Sequence, residues 1–326
     1  MTGVVRPTFF IVGAPKSGTT SMHRSLRRHP QVFMPERKEP HYFCPDLFSP
    51  RYTHDEGAYL ALFTPGAGQA AVGEASVYYL YSREAARRIQ TFAPDAKIVI
   101  MLRNPVDMIY SLHSQRLYSG HEELEDFEAA LAAEPARRAG RQLPPNPYPI
   151  PCLFYREIGK YAVQVERYLD VFPSDQVHVI IFEDFVRDTP GAFAGLCRFL
   201  DITPGVPPAV GLANPNKHVR SRRLRAWLKF SPMMQTLARR SVPRPLRRRL
   251  GGWLFALNTN YEPRRPMRAD LRAQLQDEFA PDVVRLSALL GRDLTYWSKD
   301  QADAGVRPER LPSLAAPAAE RRSGGR

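Results

Sequence analysis

Cysteine, lysine and long apolar runs are all scarce in this chain. The three cysteines, Cys44, Cys152 and Cys197, are odd in number and far apart. That argues against a disulfide scaffold or a paired-cysteine zinc site and predicts reduced thiols in a cytoplasmic protein. No stretch approaches the roughly 20 uninterrupted apolar residues that cross a bilayer. Met1 to Pro7 is too short for the apolar core of an export signal before the first strand-like run begins, so export is not expected. No cluster of His, Cys, Asp and Glu has ligand-like spacing, so no metal is expected either. Only seven of the 46 basic residues are lysines, yet Lys16, Lys38 and Lys217 all stand in motif-like loops. The net charge of +13 points to an acidic partner, whether a nucleotide, an anionic glycan or a lipid surface.

What the chain does have begins at Phe9-Phe10-Ile11-Val12. This apolar run of strand character breaks at Gly13-Ala14-Pro15 and reopens after Gly18 as a helix with Met22 and Leu26 on one face. Such a turn aims backbone N–H groups and the positive end of the helix dipole at one point, where a phosphate is the expected occupant. Gly13 and Gly18 allow close backbone approach; Ser17, Thr19, Thr20 and Ser21 add hydroxyls, and Lys16 adds a full charge. The kinase phosphate loop ends Gly-Lys-[Ser/Thr], whereas here Gly18 is followed by Thr19 and the lysine lies inside the loop.

Lys38-Glu39-Pro40-His41-Tyr42-Phe43 puts two titratable groups, Glu39 and His41, two residues apart in a non-helical segment, where both can face one cleft. Ala71 to Glu74 reads as a short buried strand, which predicts Glu74 and Ser76 beside the cleft beyond its carboxyl end. Lys97 to Leu102 reads as a buried strand, followed by Arg103, an Asn104 cap and Pro105 at the first helical position. The helix predicted from there to Tyr118 turns Val106, Ile109, Tyr110, His113 and Leu117 inward. It puts Ser111 two turns from Asn104 on the same face, so Arg103 and Ser111 can converge on one anion. Glu183-Asp184, at a later strand end, reads as structural. Four or five strand-then-helix units imply an α/β, P-loop-like fold of three layers, with a mostly parallel central sheet flanked by helices. One domain over 7–300 and a disordered tail over 301–326, rich in Ala, Pro, Arg and Gly, account for the length.

Together these segments resemble the sulfotransferases that use 3′-phosphoadenosine 5′-phosphosulfate (PAPS), in the bacterial and carbohydrate or heparan sulfate branch. Ala14 to Ser21 resembles that family's 5′-phosphate loop, Arg103 and Ser111 resemble its 3′-phosphate site, and Glu39 falls on the catalytic base of its Glu-x-His-aromatic-Phe stretch. The resemblance implies transfer of a sulfuryl group from PAPS to a hydroxyl or amine of a glycan, glycolipid, glycopeptide or small-metabolite acceptor. Glu39 would take the acceptor's proton, with His41 as the alternative base or an orienting neighbour, and Lys16 would neutralise charge on the leaving phosphate oxygen. Many relatives carry Glu-Lys-Thr where this chain has Glu74-Ala75-Ser76, which leaves the acceptor open. Asn214 to Arg223 resembles a loop that closes over the nucleotide, which assigns Lys217 and Arg220 to the donor.

Two rivals stand beside this reading. An ATP-dependent kinase would need Gly-Lys-[Ser/Thr] and an acidic Mg²⁺ ligand after a strand. A non-catalytic binder of nucleic acid or anionic lipid would rest on charge alone; the resemblance leaves no nucleic-acid partner expected. Leu224 to Tyr261 alternates bulky apolar residues and arginines, a basic amphipathic stretch that either packs on the domain or touches a membrane surface or an acidic acceptor.

Overall fold

The computed structural model of the chain describes residues 4–145, 149–205 and 264–299 in full, and the backbone of 217–219 and 259–261. Five strands form one sheet: β1 (Phe9–Gly13), β2 (Val32–Phe33), β3 (Ala71–Ala75), β4 (Lys97–Leu102) and β5 (Val177–Ile181). Their order is β2-β3-β1-β4-β5, and every pairing is parallel. Lys217–Val219 (β6) and Thr259–Tyr261 (β7) pair antiparallel as a separate two-stranded ribbon. Among the described residues, six helices reach eight residues: α1 (Thr19–Leu26), α2 (Ala85–Phe92), α3 (Pro105–Ser119), α4 (Ala162–Leu169), α5 (Thr189–Phe199) and α6 (Ala269–Leu290).

Strand alternation sorts these helices into two layers. From β1 and β4, Phe10, Val12, Ile98 and Ile100 face α2, α3, α4 and α6, while Phe9, Ile11, Val99 and Met101 face α1 and α5. Both faces are therefore covered, and side chains buried this fully contribute roughly 1.5–3 kcal/mol each. This is the three-layer α/β arrangement expected, with the sheet wholly parallel. No described helix is long and apolar enough to cross a membrane.

The order of strand addition reverses about β1: β3 lies on one side of it and β4 on the other. The carboxyl end of β1 is thus the switch point of an open parallel sheet, where such folds place their ligands. The β1–β3 contact is tight: a Cβ added to Gly73 would stand 2.1 Å from Phe9 Cζ.

Helix α3 starts as predicted, with Asn104 Oδ1 accepting from the Val106 amide at 3.0 Å, and Gly120 at φ 74° ends it. Its buried surface is wider than the predicted stripe. Met108, Leu112 and Arg116 are buried, while Tyr110 and Leu117 are half-buried. The reason is a second covering layer, in which Phe127 and Tyr155 pack on His113 at 5.1 and 5.8 Å. Trp297 closes the domain, its carbonyl accepting from Asn104 Nδ2 at 3.1 Å. Glu183 accepts from the Asn104 amide at 3.1 Å and Asp184 pairs with Arg187 and Arg292, the structural roles expected of both.

Candidate active site

The segment Ala14–Gly18 leaves the end of β1 and turns into α1. Lys16 and Gly18 take left-handed backbone, φ 61° and 87°, and Gly18 caps the helix without a side chain. Phe182 closes over this turn, 3.1 Å from where a Gly18 Cβ would lie. Ser17 is fully buried and its hydroxyl donates to the Pro15 carbonyl at 3.3 Å, so its side chain braces the loop from within. Thr19, Thr20 and Ser21 form the first turn of α1, at the positive end of its dipole.

Arg103 follows β4 and reaches back to this loop. One guanidinium nitrogen lies 3.5 Å from the Lys16 carbonyl, and the group sits over the Phe182 ring at 4.8 Å. Ser111 stands two turns along α3, and its hydroxyl accepts from Arg264 at 3.0 Å, while Ser114 accepts from the same guanidinium at 2.9 Å. Arg264, in the segment that leads into α6, is a site residue that the sequence reading did not name. Burial, then the charges of Arg264, Arg103 and Lys38, hold the Lys16 ammonium down at about 8. Burial and the Arg103 charge likewise lower Arg264. Among the described residues none of these three cations forms a salt bridge; nearby Asp107 is already held by Arg272 at 2.6 Å. Three mutually repelling cations thus stand together beside the sheet switch point, an arrangement whose repulsion an anion would relieve.

Across the cleft, Glu39 and His41 both take left-handed backbone, φ 65° and 52°. The β3 end holds them there: the Glu39 amide donates to the Ala75 carbonyl at 3.0 Å and the His41 amide to Ser76 Oγ at 3.1 Å. Glu39 is about 35% exposed, with Oε1 3.5 Å from Lys38 Nζ and Oε2 3.6 Å from His41 Nε2. Burial pushes its carboxyl up, but His41 and Lys38 outweigh that and hold it at about 2. The His41 ring is buried against Tyr52 at 4.3 Å, and burial lowers its affinity for a proton. Of the two predicted acid–base groups, Glu39 is partly exposed and His41 is buried. Lys38 Nζ also donates to Thr19 and Thr20 at 3.0 and 3.1 Å, which joins the anion loop to Glu39. A groove of about 590 Å³ is lined by His41 with Arg6, Tyr42, His54, Arg87 and Phe92, without Glu39 or the anion loop in its walls.

Glu74 and Ser76 are not at the cleft surface. Glu74 pairs in register with Phe10 inside the sheet and points into the helical layer, where Tyr59 and Tyr79 hydroxyls donate to it at 2.6 and 3.2 Å. Ser76 is buried under His41. Burial raises the Glu74 carboxyl to about 7. A folded value above the ordinary 4.5 means that this group favours folding fully below that pH and loses its contribution as pH rises through 7. Glu74→Gln is therefore expected to flatten the pH dependence of melting between pH 5 and 8 and to stabilise the fold at pH 8, by up to about 3 kcal/mol. A variant that melts lower at pH 8 would contradict this. The side chain of Lys217, in β6, and the whole of Arg220 lie outside the described residues, as do most of 224–261 and all of 301–326.

With this geometry in place, the comparisons agree on one family. Residues 6–211 match the sulfotransferase domain. The crystal structure of a sulfotransferase from Alicyclobacillus acidocaldarius is similar, with 35% identity and a TM-score of 0.68, over 91% of this chain and 100% of that one. Carbohydrate sulfotransferase 15 of Mus musculus is 26% identical over 258 residues, 61% of this chain and 44% of its own. Heparan sulfate glucosamine 3-O-sulfotransferase 6 of Homo sapiens is 30% identical over 198 residues, 60% of this chain and 52% of its own. The chain thus spans about half the length of these curated relatives. With more than half of its residues matched, the chain belongs to the sulfotransferase domain family.

Proposed function

We propose that this chain moves a sulfuryl group from PAPS to a hydroxyl, or an amine, of a glycan or another hydroxylated acceptor. The observation that carries the reading is the group of three cations, Lys16, Arg103 and Arg264, which form no salt bridge among the described residues and spread from the turn after β1 to Ser111 on α3. A nucleotide phosphorylated at both ends of its ribose fits this spread. Its 5′-phosphate would lie on the α1 N-terminus with Lys16, Gly18, Thr19, Thr20 and Ser21, and its 3′-phosphate between Arg103, Ser111 and Arg264.

Glu39 is the base in this reading. It is ionised at neutral pH, partly exposed, and oriented by His41 and Lys38, whereas His41 is buried behind it. As the acceptor oxygen attacks sulfur, its proton passes to Glu39, and Lys16 neutralises the charge that develops on the leaving phosphate oxygen. The names of the curated relatives favour a carbohydrate acceptor.

Calorimetric titration with 3′-phosphoadenosine 5′-phosphate (PAP), adenosine 5′-phosphate and ATP tests the donor. PAP is expected to bind roughly 100-fold more tightly than adenosine 5′-phosphate, because two charge-assisted contacts to the second phosphate distinguish them. Equal affinity for the two, or preference for ATP, would sink the reading.

A further inference from the structure

Lys38 touches both halves of the site, and the proposed reaction as stated gives it only the task of orienting Glu39. Its Nζ lies 3.0 Å from Thr19 Oγ1, 3.1 Å from Thr20 Oγ1 and 3.5 Å from Glu39 Oε1, with the side chain 15% exposed. An ammonium has three donors and no acceptor, so both threonine oxygens accept from it and their own O–H bonds are turned elsewhere. Among the described residues neither hydroxyl donates to a protein acceptor. Thr19 is buried and Thr20 partly exposed, so Lys38 leaves the Thr20 hydroxyl, at the start of α1, turned as a donor toward a ligand.

Position says more. If the leaving phosphate lies on the turn after β1 and the acceptor oxygen lies against Glu39, the group in transfer crosses the gap between them. Lys38 Nζ lies within hydrogen-bond reach of side chains on both sides of that gap.

We propose that Lys38 is a further catalytic residue, whose ammonium binds the non-bridging oxygens of the sulfuryl group as it passes from the loop to the acceptor. The inference rests on the donor assigned above. In the step, the acceptor O–S bond forms as the S–O bond to the 5′-phosphate breaks. The acceptor's proton goes to Glu39, and the bonding pair of the broken bond stays on the phosphate oxygen beside Lys16. Lys38 keeps its proton throughout and shifts hydrogen bonds from Glu39 and the threonines to the sulfonyl oxygens. A preorganised donor at that point stabilises charge without reorganisation during the reaction.

PAPS and PAP differ only by the sulfonate, so comparing them needs no acceptor. Both are titrated calorimetrically into the wild type, Lys38→Met and Lys38→Arg. Lys38→Met is expected to weaken PAPS about 10- to 100-fold more than it weakens PAP, the worth of one lost charge-assisted hydrogen bond. Lys38→Arg, which keeps the charge, is expected to restore most of the difference. Equal losses for the two ligands, or none, would show that Lys38 merely supports Thr19 and Thr20 and would overturn the proposal. Should Lys38→Met fail to fold, Lys38→Gln carries the same comparison. A wild type that binds neither ligand would overturn the donor assignment itself, and this inference with it.

Discussion

Glu39→Gln is expected to bind PAP within a few-fold of the wild type and to lose roughly 10²- to 10⁴-fold in turnover, the usual worth of a positioned general base. The substitution keeps the side chain's length and its exposure at the mouth of the cleft but removes the proton acceptor. The measurement is transfer of labelled sulfuryl from PAPS to acceptors drawn from the glycan, glycolipid and small-metabolite classes, with PAP affinity followed in parallel. His41→Asn separates the two titratable groups. If His41 only orients Glu39, its loss costs less than that of Glu39. If Glu39→Gln keeps its activity and His41→Asn loses it, the base is His41, and the buried ring must then become accessible when the acceptor binds.

Arg264→Ala carries the second large effect. It removes a guanidinium that reaches Ser111 and Ser114 at 3.0 and 2.9 Å, and with it one of the two arginines placed at the 3′-phosphate. PAP affinity is expected to fall about 10- to 100-fold, while affinity for adenosine 5′-phosphate holds or rises slightly. The slight rise follows from electrostatics, because Arg264 is the largest single charge that depresses Lys16, and its loss lets the ammonium regain protons above pH 8. In the wild type, nucleotide affinity should therefore decline as pH rises through about 8, with Lys16 losing its charge; in Arg264→Ala that decline should move to higher pH. Equal losses for both nucleotides would assign Arg264 to the fold rather than to the second phosphate.

Much of the site was legible from local pattern, because its best-defined parts are short. The turn from Gly13 to Gly18 is one strand end and one helix start, so its residues lie next to each other in the chain. Arg103 and Ser111 share one helix and the strand before it. Arg264 is different: 153 residues separate it from Ser111, and Glu262-Pro263-Arg264-Arg265-Pro266 reads like a connector. The available signal was a dense basic segment just before an amphipathic helix. Glu74 was misplaced for another reason. Sequence places it near a strand end, but which face of a sheet buried on both sides receives a side chain is a matter of register, and register comes from the neighbouring strands. The burial of His41 was hidden likewise, since the aromatic rings that enclose it come from Tyr52, Tyr78 and Tyr79.

The Gly73–Phe9 contact sets a gauge for the whole site. One strand of that pair ends in the loop that would hold the leaving group; the other ends in Ala75 and Ser76, whose backbone and hydroxyl oxygens fix Glu39 and His41. In the proposed reaction, the span that the transferring group crosses is therefore written into the closeness of two paired strands, several residues beneath the surface. A methyl group at position 73 would press directly on the Phe9 ring, so the first thing it displaces is a core side chain at the root of both strands.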